Sequence, residues 1–286
     1  MHFLIVGING QLGQEWAKYC HLNGIKYSGY DLPELDITDK DSVENVLRES
    51  GAKILINCAA YTNVDGAESE KHIADLINHK AVKGLAEVCK RQKVKLVHYS
   101  TDYVFSGSES DKEINPSGYP EDFKTGPTNV YGVTKLEGEK AIIKTGCEYL
   151  ILRISWLCGA YGKNFVKTML KLGSERDELN VVNDQFGSPT FTQNVVEWTY
   201  ELVQKQVAGI VHLSSSGITN WFEFTSKIFE LKGWDIKINP VDSSAFKTVA
   251  SRPHFSKLNT SKMSEILEKE PIHWEKALKN LLIELE

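Results

Sequence analysis

Tyr131 and Lys135 stand four residues apart in the run Asn129-Val130-Tyr131-Gly132-Val133-Thr134-Lys135. On a helix, positions i and i+4 share a face, so a cationic nitrogen can approach the phenol. A nearby positive charge favours phenolate and lowers a tyrosine pKa, which suits the pair to proton transfer near neutral pH. The same spacing fits a surface helix with a buried tyrosine and a solvated lysine, so the neighbours must decide. A second set of residues speaks to a cofactor. Gly7, Gly10 and Gly13 form Gly-x-x-Gly-x-x-Gly directly after the apolar run "FLIV" and at the head of a helical pattern. Glycines there let the backbone approach a pyrophosphate, whose charge meets the free N–H groups of the helix start. Asp31 closes the second apolar run, where a carboxylate can accept from an adenosine ribose and disfavours a 2′-phosphate. No arginine sits beside it, which favours NADH over NADPH.

These groups need a scaffold. Apolar, β-rich runs at 3–6, 25–30, 53–58, 94–100 and 149–154 read as strands buried on both faces. Between the third and fourth, Ile73, Leu76, Ile77, Ala81, Leu85 and Val88 recur at helical spacing. Repeated β-α-β units predict a Rossmann-like, doubly wound parallel α/β sheet. The polar segment 106–127 carries three prolines and no period, and reads as a long surface loop. Further on, helices are expected near 162–173, 192–205 and 219–232, with short strands at 179–183 and 210–214. Trp274, Ala277, Leu278, Leu281, Leu282 and Leu285 form the stripe of a last helix. The expected division is a dinucleotide-binding domain of 1–156 plus about 194–216, and a smaller α/β substrate domain of about 157–193 and 217–286.

Composition narrows the class. The 286 residues are 41% hydrophobic and 25% charged, ordinary for a globular protein. A net charge of −5 argues against nucleic acid as a partner, and no apolar run approaches a membrane span. The first strand-like run begins almost at Met1, so a signal peptide is not expected. Five scattered cysteines without a Cys-x-x-Cys pair read as free thiols in a reducing compartment, hence a cytoplasmic setting.

With the glycine loop, "HYSTDYVFSG" (98–107) and "NVYGVTK" (129–135) in one order, the chain resembles the extended short-chain dehydrogenase/reductases. The runs "INCAAYTNVDGAE" (56–68), "LRISWLCG" (152–159), "VVNDQFGSPT" (181–190) and "SRPHFSKLNTSK" (251–262) sharpen this to the dTDP-4-dehydrorhamnose reductase family. The resemblance covers nearly the whole chain. It implies reduction of dTDP-4-dehydro-L-rhamnose to dTDP-L-rhamnose, the last step in making that nucleotide-sugar, with NADH or NADPH as hydride donor. It implies that Tyr131 donates the proton, Lys135 lowers its pKa and Thr101 aligns the carbonyl. Matched cofactor positions are Gly7, Gly10, Gln11, Leu12, Gly13, Asp31, Asp36, Ile37, Ala60, Tyr61, Thr62 and Tyr99, with Tyr131 and Lys135. Matched substrate positions are Val64, Thr101, Asp102, Trp156 and Arg252.

Several positions keep rival readings. Asp36-Ile37 lies in a run that also suits a helix cap. Trp156 could be core packing, and Arg252 could serve a diphosphate or a structural ion pair. Some relatives bind Mg²⁺ through carboxylates; Glu15 fits that pattern, but Gln193 stands where an acid is needed, so no metal is expected. Segment 106–127 is longer than the family norm, and Asn63, Gly66 and Ser106 depart from it. A homodimer is carried as an expectation. Two other functions compete: a dinucleotide-binding regulatory subunit like that of methionine adenosyltransferase, and a reductase of a related 4-keto nucleotide-sugar. The complete Thr101/Tyr131/Lys135 set with Arg252 favours the enzyme.

Overall fold

A computed structural model describes residues 1–286. The five expected strands are β1 (His2–Val6), β2 (Lys26–Tyr30), β3 (Ile54–Asn57), β4 (Lys95–Thr101) and β5 (Tyr149–Ile154), and Gly209–Leu213 adds a sixth. From one edge the order is Gly209–Leu213, β5, β4, β3, β1, β2, and every pairing is parallel. The chain moves outward from β1 to β2, then returns past β1 to β3. That reversal opens a crevice at the carboxyl ends of β1 and β3, where doubly wound sheets bind ligands.

Helices on both faces explain why β1, β3 and β4 are buried almost throughout. On one face, α1 (Gln11–Leu22) and the helix Thr192–Gln204 close a core around Phe3, Ile5, Trp16, Val97, Leu152 and Trp198. The other face carries α2 (Lys40–Ser50) and, after the short α3 (Val64–Ser69), a long helical stretch. The periodicity predicts one helix there. The structure instead has α4 (Lys71–Asp75), a π-helical stretch Leu76–Ala81, and α5 (Val82–Gln92). The wider turn holds buried Asn78, whose amide brackets the Tyr61 backbone through both its N–H (2.9 Å) and its carbonyl (3.0 Å). One side chain thereby fixes the loop that leaves β3.

The segment 106–127 is the expected surface loop over most of its length, but it is anchored to the core. It contains α6 (Asp111–Ile114), and Tyr119 is completely buried, stacked on Phe105 at 4.3 Å. Its polar residues satisfy one another, which hides the packing from a periodicity reading. The Tyr119 hydroxyl donates to Asp111 (2.6 Å), which also takes the Ser108 N–H. After it comes α7 (Val130–Thr145), packed against α5, the π stretch and β4. Between α7 and β5 lies a buried ion pair, in which Arg153 Nη2 and Nε donate to Glu139 at 2.7 and 3.0 Å.

A second core gathers Val166, Met169, Phe224, Ile228, Trp274 and Leu278, beneath the parallel strand pair Glu178–Val182 and Lys237–Val241. The expected last-helix stripe packs here, with Leu285 only partly buried. The helix Ser261–Leu267 does not stay with this core. Its Met263 and Leu267 join the core beneath the sheet, so the segment 217–286 serves both halves.

Candidate active site

The crevice between β1 and β3 continues into a cleft of about 440 Å³. One wall is the glycine loop. Gly7 has φ +77°, and a Cβ on it would lie 2.5 Å from Ala59 N; a Cβ on Gly13 would lie 2.2 Å from Gly7 O. Both contacts fall below any real Cβ approach, so glycine is what lets this loop press against the end of β3 and against α1. Gly10 is the N-cap of α1 and supplies no side-chain cap. The first N–H groups of the helix therefore keep donor capacity beside the cleft, as a pyrophosphate requires. Leu12 lines the same wall. The Gln11 side chain turns away: it donates to the Leu157 carbonyl (3.3 Å) and accepts from Asn164 (2.8 Å), tying the loop to the second half. Asp31 stands at the outer rim, where its carboxylate accepts from the Asn9 and Leu32 N–H groups at 3.0 and 2.9 Å.

Tyr131 and Lys135 meet in this cleft because the start of α7 is fixed three ways. Asn129 caps the Gly132 N–H (2.8 Å), its amide donates to Ser251 O (2.9 Å), and the Val130 N–H donates to Glu68 (2.8 Å). Both side chains line the cleft, with Thr101 and Asp102 beside them. The electrostatics differ from the expectation that lysine lowers the phenol pKa. Burial pushes Tyr131 up to about 12, against side-chain hydrogen bonding with Thr101, which lowers it. Lys135 is turned onto the Tyr99 carbonyl at 2.6 Å, and burial brings it down to about 8 against the pull of Glu139. Tyr131 is thus held protonated, the form a proton donor needs.

Asp102 is 4% exposed; its Oδ1 accepts from the Thr101 hydroxyl (3.0 Å) while Oδ2 has no partner. Burial lifts this carboxyl to about 7, although hydrogen bonds to Thr101 and its neighbours oppose it. A half-satisfied acid in a polar cleft can take a sugar hydroxyl.

Ala60, Thr62 and Val64 line the cleft as expected positions. Four other positions behave differently. The Tyr99 phenol leaves the cleft to accept from Trp16 (2.8 Å) and donate to Thr199 (3.0 Å), so its carbonyl is what serves the site. The Tyr61 phenol turns outward to Glu70. Asp36 is occupied by the Thr38 N–H and hydroxyl, both at 2.8 Å, and Ile37 packs against the core. Neither Asp36 nor Ile37 reaches the cleft.

A second cavity of about 830 Å³ adjoins the first and shares Tyr103 and Trp156 with it. Trp156 adopts φ 47° and stacks on Trp221 with ring centroids 3.5 Å apart, so it forms a wall between the cavities. Arg252 makes the ion pair of one of its rival readings and keeps a donor free. Its Nη2 pairs with Asp65 at 2.7 Å, and its Nη1 is buried without a partner beside the second cavity. Three contributors escape a sequence reading: Lys163, which lines the first cleft, Tyr103, and Asp65. Lys163 follows Gly162, whose φ of +65° lets the turn pack against Gln11, a hint visible only as Gly-Lys in the sequence. The residues present do not fit Mg²⁺. Glu15 is buried and accepts from the Thr192 hydroxyl (2.8 Å), Gln193 adds no acid, and no three His, Cys, Asp or Glu side chains converge.

The chain matches the family model described as the RmlD substrate binding domain over residues 1–286. It is 37% identical to a dTDP-4-dehydrorhamnose reductase of Aggregatibacter actinomycetemcomitans over 97% of each chain. It is 36% identical to the enzyme of that name from Escherichia coli K12, over 100% of this chain and 98% of the relative. A crystal structure of dTDP-4-dehydrorhamnose reductase from Bacillus anthracis in complex with NADP superposes with a TM-score of 0.93 at 37% identity, covering 99% of each chain. A UDP-glucose 4-epimerase of Thermus thermophilus shares the fold at 17% identity, with a TM-score of 0.84.

Proposed function

The chain belongs to the dTDP-4-dehydrorhamnose reductase family, and from that membership we propose how its own residues reduce dTDP-4-dehydro-L-rhamnose to dTDP-L-rhamnose. The observation that carries the reading is the convergence of Tyr131, Thr101 and Lys135 in one cleft, between the glycine loop and the cavity under Arg252. A bound NAD(P)H supplies the hydride for the carbonyl carbon. The start of α1 faces the pyrophosphate and Lys163 adds positive charge on that side. Tyr131 Oη gives its proton to the C4 oxygen as negative charge grows there. Thr101 orients the phenol, and Asp102 offers its free Oδ2 to a neighbouring hydroxyl. A product-resolved assay with dTDP-4-dehydro-L-rhamnose and each reduced nicotinamide tests the reading. Tight cofactor binding with no sugar reduction would restore the regulatory-subunit alternative.

The Arg252 guanidinium takes the diphosphate through Nη1 while Asp65 holds Nη2. Arg252→Ala should raise KM for the nucleotide-sugar about 10- to 100-fold, the loss of one charge-assisted hydrogen bond, with a smaller change in kcat. Steady-state kinetics with saturating cofactor read this out, and an unchanged KM refutes the diphosphate role.

For the coenzyme, the reading is NADH over NADPH, supported by the Asp31 carboxylate fixed at the rim by two backbone N–H groups. Asp31→Ser should shift the NADPH/NADH ratio of kcat/KM upward by about tenfold, the scale of one removed like-charge contact. A ratio that does not move counts against Asp31 as the selector. The reading includes a cytoplasmic setting, supported by five cysteines free of disulfides, a division near 156 and 194–216 that the helix Ser261–Leu267 crosses, and a homodimer, which sedimentation decides. No helix is long and apolar enough to cross a membrane.

A further inference from the structure

The two cavities meet at a neck formed by Tyr103 and Trp156, the residues that line both. Trp156 gives its ring face to Trp221. Tyr103 has a polar group left over: its hydroxyl finds no hydrogen-bond partner within the chain. The rest of the residue is held firmly. Its N–H donates to the Thr101 hydroxyl oxygen at 3.2 Å, and its ring meets Tyr131 edge-on with centroids 5.5 Å apart. Its carbonyl lies so close to α7 that a Cβ on Gly132 would come within 2.3 Å of it. Helix α7 is thus pressed against the turn Asp102–Val104, and main-chain contact sets how far the Tyr103 phenol stands from that of Tyr131. Burial, and then the Asp102 carboxyl, push the Tyr103 phenol above its ordinary range, so it stays protonated and presents a donor.

A nucleotide-sugar can thread this neck in one direction. Its keto sugar must lie at Tyr131, in the first cleft, where hydride and proton are delivered. That cleft also takes the nicotinamide end of the coenzyme, so the nucleoside belongs in the adjoining cavity of about 830 Å³, against Phe165, Met169, Leu172 and Trp221. What crosses the neck is the diphosphate, whose oxygens accept hydrogen bonds. Arg252 lines the second cavity and not the first, whereas Tyr103 lines both. The two donors therefore follow one another along the linker.

We propose that the Tyr103 hydroxyl binds the sugar-side phosphate while Arg252 Nη1 binds the nucleoside-side phosphate, so that the neck sets the reach of the sugar to Tyr131. The assignment rests on the reading of the chain as a reductase of such a sugar. Tyr103 binds and takes no part in the proton transfer.

The acids nearby leave room for a phosphate. Asp65 is occupied by Arg252 Nη2 at 2.7 Å and by the Ala250 N–H at 3.0 Å. Burial lifts the Asp102 carboxyl to about 7, which reduces its negative charge near neutral pH. A buried Arg252 Nη1 and an unpartnered phenol at one opening are donors that a charged linker satisfies.

Calorimetry with dTDP and dTMP on the protein saturated with NAD⁺ tests the order without turnover. Tyr103→Phe keeps the ring contact with Tyr131 and removes one hydroxyl. It should weaken dTDP binding about 10- to 100-fold, the scale of a hydrogen bond to a charged group. Binding of dTMP, which carries the nucleoside-side phosphate alone, should be unchanged. Arg252→Ala should weaken both. Retained dTMP binding shows that the Tyr103→Phe protein is folded, and the ratio of the two affinities is a readout that a merely structural role would not move. Equal losses for the two nucleotides, or no loss for dTDP, overturn the proposal. In steady state, Tyr103→Phe should raise KM for the nucleotide-sugar with kcat little changed. A kcat that collapses at unchanged KM places the hydroxyl in the chemistry and overturns the assignment as well. A wild-type chain that reduces no 4-keto sugar, while the variant still separates dTDP from dTMP, sinks the reductase reading and leaves the phosphate order standing.

Discussion

Tyr131→Phe should lower turnover by about 10²- to 10⁴-fold, the usual contribution of a positioned general acid, while cofactor affinity stays near wild type. The split follows from the geometry. On the proposed reading the phenol oxygen supplies the proton, whereas the glycine loop and the start of α1 would seat the dinucleotide. The ring itself packs edge-on against Tyr103, with centroids 5.5 Å apart, and phenylalanine preserves that contact. Single-turnover reduction and fluorescence titration of the reduced nicotinamide measure the two halves separately. Near-wild-type turnover would remove Tyr131 from the proton-donor role.

Arg153→Met should destabilise the fold by about 3–5 kcal/mol, because it strands the Glu139 carboxylate in a place with 1% exposure. Arg153 also donates to the Glu121 carbonyl at 3.1 Å, so the same change frees the end of the 106–127 segment. For a chain of this size the melting temperature should fall by roughly 10 °C. The double variant Arg153→Met, Glu139→Met removes the orphaned charge and should recover much of the loss. Thermal unfolding of the three proteins is the measurement. A single variant that melts with the wild type would show that the pair is not stabilising.

The contrast between what was legible in the sequence and what was not has a physical basis. Strands β1, β3, β4 and β5 and the glycine turn announce themselves through local patterns, since burial on both faces demands apolar runs and close backbone approach demands glycine; β2, read the same way, is instead a partly exposed edge strand. The Tyr131–Lys135 spacing is equally local. The direction of a side chain at a strand end is not local. Tyr99 turns from the cleft because Trp16 and Thr199 wait for its hydroxyl on two distant helices, and nothing near residue 99 reports them. The seat of the Lys135 nitrogen on the Tyr99 carbonyl is equally invisible from the spacing of residues 131 and 135. The anchoring of the 106–127 loop is hidden in the sequence because Asp111, its buried acid, looks like a surface residue until its partners Tyr119 and Ser108 are known. Helix Ser261–Leu267 crosses back under the sheet through Met263, Ile266 and Leu267, a stripe of a single turn that does not say which core it joins.

The Gln11 bridge to Leu157 and Asn164 gives the two chambers a common brace. One amide joins the head of α1, on the first cleft, to the stretch just after Trp156, the wall of the neighbouring cavity.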